Sequence, residues 1–482
     1  MTLAELLPDA HVAPEHRGRE IGSIATDSRA VQAGAAFFAI PGHKLDGARF
    51  IAAAAAAGAV AVVAESAPDH LPDGIALAIV PQVRPALAAA AARMAGRQPE
   101  TIVAVTGTSG KTSVAAFVRQ IWLAEGRGAA SLGTLGLVGP DGATYGSLTT
   151  PDPVTLHRTL RDLSLDGIDH LALEASSHGL DQHRLDGVTL SAAAFTNLSR
   201  DHLDYHPDRD AYLAAKLRLF GALLAPGRPA VVHADGEAAR EVIDVAEARG
   251  LKVFTTGRHG HDLRLDEAVP TGFATDLRLV YRGETQHLRL PLAGGFQVAN
   301  ALVAAGLCLV TGSVPEAVFR AMAGLVGAPG RLELVGTRHG SPVFVDYAHK
   351  PDALDNVLLT LRPYAPGRLI VVFGCGGDRD PGKRPLMGAI AASRADIAIV
   401  TDDNPRSERA SEIRAAVLAE VSGGREIADR GEAIRAAVAL LQAGDVLVVA
   451  GKGHETGQIV GSETLPFSDR DAVRAALADA SP

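Results

Sequence analysis

The chain has 482 residues, 47% of them apolar and only 4% aromatic, with 46 basic side chains against 55 acidic ones and a formal charge of −9. A length of that order holds about three domains, and the acidic balance excludes a general attraction to nucleic acid, so an anionic ligand must be met by a local site. Two cysteines, Cys308 and Cys375, exclude both a disulfide scaffold and a four-cysteine zinc site.

Residues 1–8 lack a basic segment followed by an apolar run, so no signal peptide is expected. Short strands are expected at 33–40, 59–64 and 75–80, with a helix over the Ala-rich run 52–57. The longest uncharged apolar stretch, 51–64, is shorter than the about 20 residues that cross a bilayer, so no membrane insertion is expected. Gly96-Arg97-Gln98-Pro99 reads as a linker that closes a small α/β domain over 1–98.

The run Thr101–Thr106 is β-branched or apolar throughout, as in a strand covered on both faces. Strand-then-polar-loop units recur at 170–173 and 192–196, which predicts a mostly parallel sheet. Residues 255–292 alternate polar and apolar positions and are expected to form antiparallel strands at one edge. Ala328-Pro329-Gly330-Arg331 marks a second boundary, after which strands are expected at 343–345, 368–373, 396–401 and 445–450. The expected fold class is α/β in three domains: the small one over 1–98, a central P-loop domain over 99–329 and a Rossmann-like one over 330–482. Ligands of such sheets sit in the loops at the carboxyl ends of strands.

The first of these loops is Thr106-Gly107-Thr108-Ser109-Gly110-Lys111-Thr112-Ser113. Its glycines allow backbone to wrap phosphate, and the amides of 107–113 at a helix start supply donors. Lys111 is suited to the β- and γ-phosphates and Thr112 to Mg²⁺. Val105 stands where the usual pattern has its first glycine, so the loop is a shortened variant. The loop alone indicates a nucleotide with Mg²⁺ and leaves a kinase, a GTPase switch and a ligase open.

Strand 170–173 runs into Glu174-Ala-Ser-Ser-His-Gly-Leu-Asp-Gln-His-Arg184, and an acid directly after a strand beside a phosphate loop is where a Mg²⁺ ligand belongs. Strand 192–196 runs into Asn197-Leu-Ser-Arg-Asp-His202-Leu-Asp-Tyr-His206. These two runs resemble the Mur ligase family, and within it the enzymes that add the third residue of the peptidoglycan peptide. The resemblance implies three α/β domains, for a UDP-sugar substrate, for ATP and for an incoming amino acid.

It also implies roles for residues. Lys111, Glu174, His202 and Lys216 would be catalytic, with Glu174 and His202 on Mg²⁺ beside Thr112. Thr112 would sit on the nucleotide-associated ion, and Lys216 falls where the family carries a carbamylated lysine (N6-carboxylysine), whose two oxygens would hold a second Mg²⁺. Read without the resemblance, it is a cation on a helix surface. Thr26, Ser28, His43, Lys44 and Leu45 would contact the UDP-sugar; Thr149, Thr150, Ser176, Gln182 and Arg184 would hold the muramoyl-dipeptide. Within Gly294-Gly-Phe-Gln-Val-Ala-Asn300 only Asn300 is carried over as an adenine-side residue, because Gln297 replaces the first of two usual asparagines. Arg331, Asp346 and His349 would face the nucleotide from the third domain, which implies closure on binding and exclusion of water.

Three further loops follow strands of the last domain. Gly374-Cys-Gly-Gly-Asp-Arg379 is no dinucleotide fingerprint, because the final glycine is replaced by Arg379. Asp402-Asp403-Asn404-Pro405-Arg406 and Gly451-Lys-Gly-His-Glu455 are the others. Arg379, Arg406 and Glu455 are expected at one edge of one sheet, with two guanidinium groups and one acid for an amino acid bearing an extra carboxylate. Asp403, Asn404, Pro405 and Arg406 look like the family's signature for meso-diaminopimelate, with Gly451 beside them. Lysine lacks the distal carboxylate and would leave Arg406 unpaired. The implied activity is ATP-dependent ligation of diaminopimelate to UDP-N-acetylmuramoyl-alanyl-glutamate through an acyl phosphate, by a cytoplasmic monomer. Two rivals stand beside it: a folylpolyglutamate synthetase, and a nucleotide-dependent binding or switch protein without ligase turnover.

Overall fold

The computed structural model describes residues 1–42, 46–140, 142–144, 146, 148–199, 201 and 205–479. The chain divides into two compact units, Met1–Arg264 with Leu302–Val318, and Leu265–Ala301 with Phe319–Pro482.

The first unit holds two sheets. The smaller has the order His11–Val12, Ala76–Ile79, Ala59–Ala64, Ala35–Phe38, Ser23–Ala25 and is parallel except for its first strand. In the larger, Thr101–Thr106 lies between His170–Glu174 and Ala192–Phe195, and all three run parallel. Ile102, Ala104, Leu171 and Leu173 share one face with helix Pro153–Leu165, through Leu156 and Leu160. Residues two apart share a face, so a central strand covered on both sides has to be apolar at every position.

The expectation for 255–292 needs correcting in part. Lys252–Gly257 pairs parallel with Pro229–His233, and the start of Leu263–Thr271 pairs parallel with Lys252–Gly257. The antiparallel ladder is the hairpin Ala274–Tyr281 with Glu284–Leu290 in the second unit. Its two-residue turn has Arg282 at φ 51° and Gly283 at φ 83°, the double left-handed geometry that matches strand twist. The sequence gives little warning, since Arg282 stands where asparagine or glycine is usual.

The main sheet of the second unit has the order Glu333–Arg338, Ser341–Asp346, Val446–Ala450, Leu369–Phe373, Ile397–Val400, Arg425–Glu426, parallel beyond its first pair. Leu369, Val371 and Phe373 point to a core closed by helices Pro351–Leu361, Lys383–Arg394 and Ala410–Leu418. Ile370 and Val372 point to another, closed by Arg430–Ala439 and Asp469–Asp479. The sheet is thus doubly wound, with its loop-bearing edge at the strands' carboxyl ends.

Candidate active site

In the first unit, strand Thr101–Thr106 passes through 107–110 into helix Lys111–Ala124. Gly107 has φ 149°, and a Cβ there would lie 2.0 Å from Thr196 Oγ1, so both backbone and space require glycine. The Lys111 ammonium arches over the loop, donating to the Gly107 and Thr108 carbonyls at 2.8 and 3.0 Å. Asn197 Oδ1 accepts from the Ser109 amide at 3.0 Å, and Asn197 O from the Thr108 amide at 2.9 Å.

Glu174, only 2% exposed, ends its strand facing this helix. Thr112 donates to its Oε2 at 3.1 Å, while Thr134 donates to Oε1 from its amide at 2.8 Å and to Oε2 from its hydroxyl at 3.1 Å. A Cβ on Gly133 would sit 2.0 Å from Glu174 Oε1, which leaves no room for a side chain. These three donors are neutral, so the carboxylate's charge is solvated but not balanced by them. Oxygen atoms from one carboxylate and one hydroxyl, with the remaining positions left to water and phosphate, are the donor set Mg²⁺ prefers.

Lys216 corrects the bare sequence reading. It lies on helix Arg209–Arg218, is 1% exposed, and donates to the Gly107 carbonyl at 2.8 Å. Its ammonium stands 4.2 Å from the Tyr212 ring centroid. Tyr212 is one helical turn before it, so the i,i+4 spacing puts both on the buried face. Burial, reinforced by the nearby Lys111 charge, holds its pKa well below the ordinary lysine value.

The dipeptide-side residues form one network. Thr150, fully buried, donates to the Glu174 carbonyl at 2.8 Å and accepts from the Ser176 amide at 3.0 Å. Thr149 meets Thr134, hydroxyl to hydroxyl, at 3.1 Å. Arg184 donates to Thr150 O at 2.7 Å and to Gln182 Oε1 at 2.7 Å, and burial draws its pKa down. Gln182 donates to the Tyr205 hydroxyl at 3.1 Å, which donates to Asp181 at 2.6 Å. Gln182, Tyr205, Asp181 and Arg84 line a cleft of about 300 Å³ with Pro41 and Gly42. Thr26 is exposed and Ser28 half-buried, on a turn where Arg29 holds the Asp27 carboxyl down to about 2. His43, Lys44, Leu45 and His202 lie outside the described residues.

In the second unit, Gln297 donates to Arg331 O at 3.0 Å and Asn300 approaches Gln297 Oε1 at 3.5 Å. Asp346 ends its strand and accepts the Leu332 and Ala348 amides at 2.6 and 2.8 Å. Burial raises its carboxyl to about 6, against the pull of Arg331. The Arg331 guanidinium covers Tyr347 at 4.5 Å, and His349 is pushed down to about 4 by burial.

Three neighbouring strand ends then converge. Asp403 and Asn404 are buried, and a Cβ on Gly451 would stand 2.7 Å from Asp403 Oδ2. Pro405 is buried beside them and precedes Arg406, which adopts φ 54°. The Arg406 amide donates to Ile459 O at 3.1 Å and its carbonyl accepts from Gly461 at 2.8 Å, so the hairpin Gly457–Val460 with Glu463–Pro466 locks that conformation. The guanidinium donates to Gly377 O at 2.8 Å. Asn404 donates to Glu455 Oε2 at 3.0 Å. Arg379 stands exposed on the Gly377 loop, its guanidinium 3.3 Å from Asp378 O. Beneath the loops, Arg430 pairs with Asp469 at 2.6 Å, both fully buried, and donates to the carbonyls of Asp402 and Ala450 at 3.3 and 2.9 Å.

Thr134, Tyr205 and Lys452 were not singled out by the sequence. Two carried a signal: Tyr205 lies in the run quoted from Asn197 to His206, and Lys452 is a cation between two glycines in the run chosen for Glu455.

A phosphate loop beside a buried carboxylate–hydroxyl pair is a site for a nucleotide with a divalent ion, and the family matches give the class: an ATP-dependent, amide-bond-forming ligase. The chain belongs to the Mur ligase family. Residues 105–308 match the Mur ligase middle domain, 330–453 the glutamate ligase domain, and 20–96 the family's catalytic domain. A relative from Bradyrhizobium diazoefficiens, named UDP-N-acetylmuramoyl-L-alanyl-D-glutamate–2,6-diaminopimelate ligase, is 58% identical over 99% of both chains. A solved structure with that name superposes with a TM-score of 0.74 at 32% identity, covering 99% of each chain. The folylpolyglutamate synthase of Mycobacterium tuberculosis gives 0.61 at 21% identity over 76% of this chain and 92% of its own, a likeness of fold alone.

Proposed function

We infer that this ligase joins meso-diaminopimelate to UDP-N-acetylmuramoyl-L-alanyl-D-glutamate. The observation that carries the reading is the Asn404–Arg406 loop tied to Glu455: a guanidinium and a carboxylate at one strand edge suit an amino acid with an ammonium and an extra carboxylate. The relatives' names support the same choice.

The γ-carboxylate of the D-glutamyl residue attacks the γ-phosphorus of ATP, ADP leaves, and an acyl phosphate forms. The diaminopimelate amine attacks that acyl carbon, loses a proton, and phosphate departs. The first step brings two anions together. Unit charges about 4 Å apart repel by about 4 kcal/mol at an effective dielectric of about 20, nearly three decades of rate. Lys111 offsets part of that repulsion once it swings from its loop carbonyls to phosphate. Thr112, Glu174 and His202 would hold Mg²⁺ and a carbamate on Lys216 a second ion, and the two cations would supply the remaining neutralising charge.

Lys216 as an amine offers no oxygen to a metal. Its uncharged form, favoured by burial, can add CO₂ at nitrogen with loss of a proton, which gives an anionic carbamate with two oxygens. Asn300, Arg331, Asp346 and His349 are assigned to the nucleotide. Thr26, Ser28 and 43–45 are assigned to the UDP-sugar, and Thr149, Thr150, Ser176, Gln182 and Arg184 to the dipeptide. The domain division 1–98, 99–329 and 330–482 belongs to this reading, as does a monomer acting in the cytoplasm, where ATP and nucleotide-linked precursors are supplied.

The test is to incubate the protein with ATP, the UDP-muramoyl-dipeptide and single amines, following ADP and the mass of the joined product. Diaminopimelate should react and lysine should not. Equal rates with both would overturn the assignment of Arg406, and a product with polyglutamate instead would favour the folylpolyglutamate rival.

A further inference from the structure

Lys452 has no exposed surface, yet it is a cation on a loop between Gly451 and Gly453. A buried ammonium is tolerated only where its charge and its donors are matched. Its Nζ donates to Asn404 Oδ1 at 2.9 Å and to Glu455 Oε2 at 3.2 Å, with Asp403 Oδ1 at 3.9 Å. All three partners belong to the proposed amino-acid site; Lys452 itself has no assigned role there.

Two consequences follow from that geometry. Asn404 Oδ1 also accepts from the Ile459 amide at 2.9 Å, so two donors face the oxygen and the amide nitrogen is turned to Glu455 Oε2 at 3.0 Å. Glu455 Oε2 thereby receives both Asn404 and Lys452, which leaves Oε1 as the oxygen offered to a ligand ammonium. Of the charged groups assigned to the site, Arg379, Arg406 and Lys452 are positive and Asp403 and Glu455 negative. Without Lys452 the site would lose one positive charge and would shift toward a net cation such as lysine.

We propose that Lys452 is a positioning and selectivity residue of the amino-acid site: it fixes the Asn404 amide and one oxygen of Glu455, and its buried charge disfavours a net cation. This rests on the reading that the site takes diaminopimelate.

The test uses the full chain with ATP and the UDP-muramoyl-dipeptide. Lys452→Met should raise the KM for diaminopimelate about tenfold or more while the KM values for ATP and the dipeptide stay within about twofold. The ratio of kcat/KM for diaminopimelate to that for lysine should fall about tenfold, the sign expected when a site loses one positive charge. Glu455→Gln and the double variant complete a cycle, in which the double variant should be little worse than Glu455→Gln alone. An unchanged amine KM, an unmoved selectivity ratio or strictly additive losses would each overturn the proposal. If Lys452→Met does not fold, Asn404→Asp keeps the side-chain volume and Lys452 but sets a carboxylate against Glu455. It should raise the amine KM similarly, and a wild-type KM there would also overturn the proposal. If the wild-type chain ligates no amino acid with a second carboxylate, the reading of the site fails; if it does and Lys452→Met behaves like it, only the Lys452 inference fails.

Discussion

Two buried lysines set the two units apart. Lys216 in the first unit faces a carbonyl and an aromatic ring, whereas Lys452 in the second faces an amide oxygen and carboxylates. In the first, burial and the Lys111 charge outweigh the carboxylate of Asp201 and leave the nitrogen reactive. The second supplies counter-charge and turns the nitrogen into a fixture. The same contrast runs through the surroundings. The phosphate edge is made of backbone, hydroxyls, the Lys111 ammonium on loop carbonyls and one carboxylate held by neutral donors, while the amino-acid edge is made of opposed full charges from separate loops. One edge is built to gain charge on binding, and the other to read its pattern.

The largest expected effect breaks the first half of that contrast. Lys216→Ala should lower the ligation rate by about 10²–10³-fold, as loss of a preorganised electrostatic group does, and small carboxylic acids should restore part of it. Full activity of the variant in steady-state assay would remove the carbamate from the account. Gly107→Ala comes next: with φ 149° and Thr196 Oγ1 in the way, it should destabilise the chain by about 3 kcal/mol. Thermal unfolding reads this directly, and an unshifted midpoint would mean the loop has room that its geometry denies.

On the other edge, Arg406→Lys keeps the charge but loses the two-pronged grip, so the diaminopimelate KM should rise about tenfold. An equal rise with lysine as substrate would show that Arg406 does not read the distal carboxylate.

The smallest effect concerns pH. His349 and His454, pushed from 6.5 to about 4 by burial, stay neutral in the fold while the unfolded chain protonates, so stability falls as pH drops through that window. Asp346 acts oppositely. Its carboxyl, raised from 3.8 to about 6, takes up a proton in the fold first, and that stabilisation is lost as pH rises through about 6. Asp346→Asn should therefore steepen the acid loss, by about 1 kcal/mol near pH 5. Urea titrations at pH 7 and pH 5 would show it, and a shallower acid loss in the variant would contradict the assigned direction.

The phosphate loop was legible because its chemistry is contiguous: strand, glycines, Lys111 and helix follow one another. Glu174 was legible for the same reason, as an acid directly after the apolar run Leu171–Leu173. From its own residues Lys216 was not, because Arg209, Asp210 and Arg218 around it look like a solvated helix, although Tyr212, Leu213 and Ala215 share its buried side. Thr134 and Tyr205 act through partners 40 and 23 residues away, a distance over which no local pattern extends. The hairpin that locks Arg406 was unread, since residues 457–466 show no strong apolar alternation.

The Arg430–Asp469 pair carries a consequence for inheritance of change. Asp469 opens the last helix described, far along the chain from the Asp403–Arg406 loop, yet its carboxylate neutralises the guanidinium that ties down the roots of two ligand loops. Removing one partner of such a pair strands a charge in the interior. A lesion in that helix would therefore be felt as altered discrimination among amines as well as fragility, so drift there is constrained by what distant loops must recognise.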